Sequence, residues 1–383
     1  MKKALFVTHV SGFVPQFEMN NVRILQGMGY EVHYAANFNQ PSYGDDNSRL
    51  QGTGIVCHQI DFERSPFSRA NWKALQELKE LFAAESFSLV HCHTPMGGFL
   101  ARAAGAPYRK TGLKMIYTAH GFHFYKGAPL KNWLLYFPAE WILSFVTDLQ
   151  ICINEEDYEF ARRHLHAREV AYVPGVGFDP DTGLSLDRAA ARRELRKEFH
   201  LPPDSIVLIN AGELIPRKNQ EALIRMMQEL PERFRLLICG KGELKASFLR
   251  LAEELGVSGR VNFPGYRPDL MKLYCGSDLF LFPSIQEGLP RALLEAMSYG
   301  LPVICTDIRG NRDLVRGAGG ILLPMRKKNL SHQFAEAVLA MEKHRGQWKS
   351  FGSKNQKAVE KFSMARVDRM MREIYQHMTD GGR

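Results

Sequence analysis

The feature that most limits what this chain can fold into is its alternation. Short apolar runs of strand length recur from end to end, and most are followed by a helical pattern. In the first half such runs fall near residues 3–10, 30–37, 88–93, 114–119, 148–153 and 169–173, with helical patterns such as 70–84 and 131–145 between them. In the second half they fall near 205–211, 234–239, 260–263, 279–282, 301–305 and 320–323, separated by helical patterns near 219–229, 244–255, 290–299 and 331–343. Near-continuous apolar runs belong to strands buried on both faces, and strand–helix alternation builds parallel sheets covered by helices on each side. At 383 residues the chain is too long for one ordinary core. The alternation loosens over 174–204, where PGVGFDPDTG, a charged helix near 187–198 and LPPDS follow one another. The domain boundary is expected there. The architecture expected is α/β, with two doubly wound Rossmann-like domains, 1–176 and 177–362, facing a central cleft. A last helix at 363–378, apolar at Val367, Met370, Met371 and Ile374, is free to return to the first domain. Ligands of such sheets sit at the carboxyl ends of the strands.

Composition narrows the class. An apolar share of 45% and a charged share of 24% are those of a globular protein rather than a disordered one. The net charge of +9 favours an anionic partner without choosing among nucleic acid, phosphorylated ligand and membrane surface. No nucleic-acid motif accompanies it. The six cysteines are scattered without a CxxC pair, as expected of buried thiols in a reducing compartment. The N-terminal MKKALFVTHV turns polar too early for a signal sequence and reads as a first strand, and no run approaches a membrane span.

Several stretches carry chemistry. In SIQEGLPRALLEAM, which follows the apolar run LFLFP, Pro290 suits a helix start, where its missing N–H costs nothing. Glu287, Gly288 and Leu289 then stand just ahead of a helix whose free N–H groups favour a phosphate or developing anion. Glu295 falls beside Arg291, so an i,i+4 ion pair on a solvated face competes with a ligand-binding role. A second turn, NAGELIPRKN after IVLIN, carries Arg217 and Lys218, which on the residues alone also read as a solvated surface turn. Gly240-Lys-Gly242 after FRLLIC starts like a dinucleotide fingerprint, but Lys245 stands where its third glycine belongs. His120 in YTAHGFHFY ends an apolar strand, as do His91 and His93 in LVHCHTP. No third donor visibly accompanies the H-x-H pair, so no metal is expected there. Asp179-Pro-Asp181 spells DxD, but it lies in the Gly/Pro linker and reads as turn chemistry.

PSIQEGLPRALLEAMSYGLPVICTDIRGNRDLV resembles the signature block of the family-4 glycosyltransferases of the GT-B fold, enzymes of capsule, exopolysaccharide and lipid-linked glycan assembly. Glu287 and Glu295 match that family's E-x7-E pair. The resemblance implies that Glu287 contacts the donor sugar near the reacting carbon and Glu295 the ribose hydroxyls. Arg217 and Lys218 would hold the donor diphosphate, although Glu213 stands where an arginine is common. Gly12, in the loop after the first strand, and Gly240 would lie along the donor, and His120 would reach toward its sugar. The resemblance further implies retention of configuration, no metal or other cofactor, and a nucleotide-sugar donor, with a UDP-linked hexose or N-acetylhexosamine expected. The acceptor implied is a lipid-diphosphate-linked sugar or oligosaccharide. An epimerase or phosphorylase of the same fold and a non-catalytic nucleotide-sugar binder are the competing readings.

Between Glu85 and Glu140 the chain holds no acidic residue, while Lys126, Lys131 and other basic residues interleave with Trp133 and further aromatics. Such a pattern suits an anionic inner leaflet, and it gives the expectation of a cytoplasmic, peripherally membrane-associated protein. The competing expectation is a helix at 131–145 whose aromatics enter the N-terminal core.

Overall fold

The computed structural model describes residues 1–42, 47–175, 177–179, 186–325 and 329–379. The chain divides into two compact units. Unit 1 is Met1–Gly177 with Met364–Arg383, and unit 2 is Phe178–Ser363.

Among the described residues, unit 1 is built on seven parallel strands: β1 (Lys2–Val7), β2 (Tyr30–Ala36), β3 (Val56–Gln59), β4 (Phe87–His93), β5 (Lys114–Ala119), β6 (Leu149–Cys152) and β7 (Glu169–Tyr172). Their order is β3-β2-β1-β4-β5-β6-β7, so the chain reverses its direction of winding between β1 and β4. The apolar runs explain why both faces are covered. Leu5, Val7, Val90, Cys92, Met115 and Tyr117 enter one core layer. Their neighbours Ala4, Phe6, Leu89, Ile116 and Ile151 enter the other, as the two-residue strand period requires. Strand β3 has no such run. Its VCHQ is mostly exposed at the sheet edge, and for that reason no apolar pattern announces it.

Unit 2 repeats the plan with β8 (Ile206–Ala211), β9 (Phe234–Cys239), β10 (Val261–Gly265), β11 (Leu279–Phe282), β12 (Val303–Thr306) and β13 (Gly320–Leu323). Their order is β10-β9-β8-β11-β12-β13, with the switch between β8 and β11. All pairings are parallel, so the loops after β8, β9, β11 and β12 leave the same sheet edge. Residues alternate again: Leu208, Leu236 and Leu281 go to one layer, and Val207, Ile209, Phe280 and Phe282 to the other.

The C-terminal helix Met364–Thr379 packs on unit 1. Its buried face is Val367, Met371, Tyr375 and Met378, while Met370 and Ile374 are only partly buried. The sequence-level face is therefore rotated toward Tyr375. This residue is buried because its hydroxyl has a buried partner, His91 Nδ1 at 2.7 Å.

Candidate functional site

In unit 2 the switch between β8 and β11 brings the expected residues together. After β8, Gly212 opens a turn ending in Pro216–Lys218, and after β11 the chain runs through Ser284 to Glu287. Lys218 Nζ lies 2.7 Å from Glu287 Oε1, and Arg217 Nη1 lies 3.3 Å from Glu287 Oε2. Arg217 also donates to the Gln286 carbonyl at 3.1 Å. Glu287 is 7% exposed, and its one negative charge is shared between the two cations, which leaves the cluster a net positive charge. The phosphate-binding cations expected from the sequence are thus engaged by the proposed sugar-binding carboxylate itself. Glu213, which departs from the family pattern, is exposed and 3.9 Å from Arg217.

Backbone proximity explains the glycine turn. A Cβ on Gly240, at the end of β9, would sit 1.9 Å from the Gly212 carbonyl oxygen, and φ there is +143°. Only glycine lets these two strand ends lie so close. The helix Arg291–Ser298 starts immediately after Pro290, with Gly288 and Leu289 half-buried ahead of it. Glu295 stands in the ion pair that competes with a ribose contact, its Oε1 2.8 Å from Arg291 Nε. Arg309 escaped the sequence reading. It is 3% exposed, and its Nε donates to the Glu287 carbonyl at 3.2 Å, pinning the segment that carries the carboxylate. An arginine in the loop after an apolar strand, inside the signature block, was the available signal.

In unit 1, Gly12 follows β1. A Cβ there would meet the Ser42 carbonyl oxygen at 2.1 Å, so this loop admits no side chain. His120, at the end of β5, is 23% exposed in its side chain. His91 and His93 do not act as a pair: His93 instead meets two donors from elsewhere in unit 1. His93 Nδ1 lies 3.1 Å from His120 Nε2 and 3.6 Å from Glu18 Oε1, and Glu18 Oε1 is 3.9 Å from His120 Nε2. The three donor atoms are close enough for one cation to reach them all. Sequence reasoning missed Glu18 because it ends the short helix Val14–Glu18 that follows β1, and no spacing rule links it to His93. Glu18 is 2% exposed at the end of the helical VPQFE segment, which also holds Gln16, so the sequence offered no clear signal of its burial. Burial pushes the Glu18 carboxyl up to about 8 and the His120 imidazole down to about 4. His91 is a structural hydrogen-bonder, held by Tyr375 and by Thr118 Oγ1 at 2.8 Å.

The basic aromatic segment divides in two. Phe122 and Phe124 are buried, and Trp133 packs with Phe124, Phe137 and Phe160 at centroid distances of 5.5, 6.0 and 5.7 Å. Trp133 therefore belongs to the core layer, correcting its assignment to a membrane surface. Arg102 is buried too, 2.8 Å from Glu140 and stacked 3.8 Å over the Tyr117 ring. Lys126 and Lys131 are exposed. Exposed with them is one side of the helix Leu130–Ser144: Leu130, Leu134, Leu135, Trp141 and Ile142, continued by Phe145. Of the DxD pair, Asp179 lies among the described residues and Asp181 outside them.

Both units match known families. The model for glycosyl transferases group 1 matches residues 191–357, and that for a glycosyl transferase 4-like domain matches residues 18–175. A putative glycosyltransferase, EpsD of Bacillus subtilis, is 35% identical over 385 residues, covering 99% of this chain and 97% of its own. A UDP-Gal:alpha-D-GlcNAc-diphosphoundecaprenol alpha-1,3-galactosyltransferase of Escherichia coli is 27% identical over 322 residues, covering 79% of this chain and 78% of its own. Among solved structures, Anabaena Alr3699/HepE in complex with UDP and glucose superposes with a TM-score of 0.76 at 18% identity, over 98% of this chain and 99% of that one. WaaG, a glycosyltransferase involved in lipopolysaccharide biosynthesis, does so with a TM-score of 0.73 at 18% identity, over 99% of this chain and 100% of that one. With family matches in both units and a relative aligned along nearly its whole length, this chain belongs to the family-4 glycosyltransferases of the GT-B fold.

Proposed function

We propose that this glycosyltransferase moves a hexose or N-acetylhexosamine from a UDP-sugar, with retention and without a metal, onto a lipid-diphosphate-linked or polysaccharide-precursor acceptor in cell-surface glycan synthesis. The observation that carries the reading is the buried Glu287 clamped by Lys218 and Arg217 at the switch point of unit 2. A diphosphate arriving there competes with Glu287 for both cations. The exchange places positive charge on the leaving group and frees the carboxylate to accept hydrogen bonds from sugar hydroxyls. Lys218, Arg217 and the N–H groups of the segment after Gly288 then do the work a metal does elsewhere, stabilising the nucleoside diphosphate as it departs. Glu295 exchanges Arg291 for the ribose hydroxyls, and Gly212 and Gly240 let the backbone approach the nucleotide. His120 keeps the contact to the transferred sugar that the family resemblance gives it. The UDP bound to HepE supports the choice of nucleotide, and the name of the Escherichia coli relative supports a carrier-diphosphate acceptor. A panel of nucleotide sugars scored for nucleotide release, with and without lipid-diphosphate-sugar acceptors, tests the reading. Release that depends on free phosphate, or epimerisation without an acceptor, would overturn it.

A second observation favours a place at the inner leaflet. The helix Leu130–Ser144 carries apolar side chains on two sides, interrupted by Lys131, Asn132 and Glu140. Its Trp133, Tyr136 and Phe137 side packs on the core, and its Leu130, Leu134, Leu135, Trp141 and Ile142 side faces solvent. A helix apolar on both sides needs a second apolar medium. Lys126 and Lys131 beside that exposed side give the charge that anionic headgroups attract. Among the described residues no helix is long and apolar enough to cross a membrane.

A further inference from the structure

His91 and His93 leave β4 on the same face, yet their surroundings differ. Both nitrogens of His91 are occupied, by Tyr375 and Thr118. The His93 ring is wholly buried, and its Nε2 has no hydrogen-bond partner among the described residues. A neutral imidazole carries one proton. Placed on Nε2, that proton would be a buried donor with nothing to receive it, a less tolerable defect than a bare acceptor. Placed on Nδ1, it points to His120 Nε2 at 3.1 Å. His120 Nε2 must then accept, which leaves the proton of His120 on Nδ1, a nitrogen with no partner among the described residues.

We propose that His93 is a positioning residue that holds His120 as the neutral Nδ1–H tautomer, so that His120 meets the sugar nucleotide as a hydrogen-bond donor to oxygen and not as a base. The functional half of this inference rests on the contact between His120 and the transferred sugar proposed above. Glu18 is the acidic neighbour of this pair, and its own hydrogen bond shows which oxygen a proton would occupy. Its Oε2 receives the Asn21 amide hydrogen at 2.6 Å, so a protonated Glu18 carries its hydrogen on Oε1, the oxygen that faces the two imidazoles. That oxygen lies 3.6 Å from His93 Nδ1 and 3.9 Å from His120 Nε2, beyond hydrogen-bond reach of either, so a neutral Glu18 leaves His120 Nε2 to accept from His93 alone. A carboxylate would instead draw a proton onto that nitrogen. The raised Glu18 and lowered His93 and His120 basicities, all caused by burial, agree with a fully neutral triad. The orphaned His93 Nε2 also argues against a cation at the three donors, since a metal-bound imidazole donates its remote N–H to an acceptor.

The test is long-range proton–nitrogen NMR at neutral pH on full-length protein labelled with nitrogen-15 in histidine, with the His120 signals assigned by their loss in His120→Asn. The expected wild-type spectrum has His120 protonated at Nδ1 only. His93→Leu, which removes the donor, should shift His120 to the Nε2–H form and lower kcat about tenfold, with donor KM within about twofold. His93→Asn, whose amide N–H can stand where Nδ1–H stood, should restore the tautomer and most of the turnover. Glu18→Gln, a neutral isostere, should keep the Nδ1–H form. An Nε2–H or doubly protonated His120 in the wild type would overturn the proposal, as would His120 signals that change on adding chelator. Undiminished turnover in His120→Asn would sink the sugar contact instead, while the wild-type tautomer would still decide the positioning claim.

Discussion

At the scale of single residues, Glu287 is held from two sides, and its removal has two separable consequences. Glu287→Gln keeps the shape, loses the charge-assisted sugar contact and releases Lys218 and Arg217. Transfer should fall by on the order of 2–4 kcal/mol of transition-state stabilisation, the loss typical of one preorganised charged contact. Binding of UDP should not weaken, because the freed cations face the diphosphate without a competitor. Steady-state transfer assays with calorimetric titration of UDP check both halves, and activity within a few-fold of wild type would remove Glu287 from the site. Glu295 stands differently, since its ion pair with Arg291 is present before any donor arrives. An exposed i,i+4 pair of this kind contributes only about 0.3–0.5 kcal/mol, so a ribose can displace it. Glu295→Ala should therefore raise the donor KM and leave kcat nearly unchanged. An unaltered KM would reduce Glu295 to the partner of Arg291.

At the scale of elements, the helix Leu130–Ser144 resolves a conflict that its sequence sets up. Its exposed apolar residues and Lys131 fall within about 140° of a wheel drawn at 100° per residue, and its core-facing aromatics fall on the remainder. The core-helix reading describes one side of this helix, and the other side is the one on which the proposed membrane contact rests. The protein should bind vesicles containing anionic lipid and leave them as salt rises. Reversing the charges at Lys126 and Lys131 should weaken binding by roughly 1 kcal/mol per residue. Leu134→Glu, placed on the exposed side, should weaken it without unfolding the protein. Co-sedimentation at two salt concentrations reads the effect, and equal binding to neutral and anionic vesicles would defeat the electrostatic account.

At the scale of the whole molecule, buried titratable groups make stability depend on pH in two opposing ways. His91, lowered to about 3, and His9 and His120, each lowered to about 4, stay neutral in the fold while the unfolded chain takes up protons near the ordinary histidine value of 6.5. Their contribution is full above that value and drains as pH falls toward about 4. Glu18, raised to about 8 from an ordinary 4.5, acts the other way, with a contribution that is full below 4.5 and drains as pH rises toward 8. Glu18→Gln cannot ionise, so its melting temperature should gain on the wild type steadily from pH 5 to pH 8. A constant difference across that range would mean that Glu18 is ionised in the fold. Transfer activity should survive excess chelator, since Lys218 and Arg217 supply the charge that a cation would. Strict dependence on added Mg²⁺ or Mn²⁺ would defeat the metal-independent reading.

The sequence by itself determined the two parallel-sheet units, because strands buried on both faces must be written as continuous apolar runs, and it marked the E-x7-E block because those residues are contiguous on one turn and helix. It missed β3, whose edge position needs no apolar run. It also missed Tyr375, whose hydroxyl made a buried place unlikely on hydropathy alone until His91 supplied the partner. What only the tertiary structure decided are the meetings of residues from different strand ends. Lys218 reaches Glu287 because β8 and β11 are neighbours at the switch point, though 69 residues separate the two side chains. His93 and His120 come from the ends of β4 and β5, and Glu18 from the short helix Val14–Glu18 that follows β1; the three strands are adjacent in the sheet and separated in the chain. Local pattern encodes which face of an element is apolar, and it fixes burial within that element. Hydrogen bonds and ion pairs between side chains depend on which strand lies beside which, a property of the folded sheet that no short stretch of sequence contains.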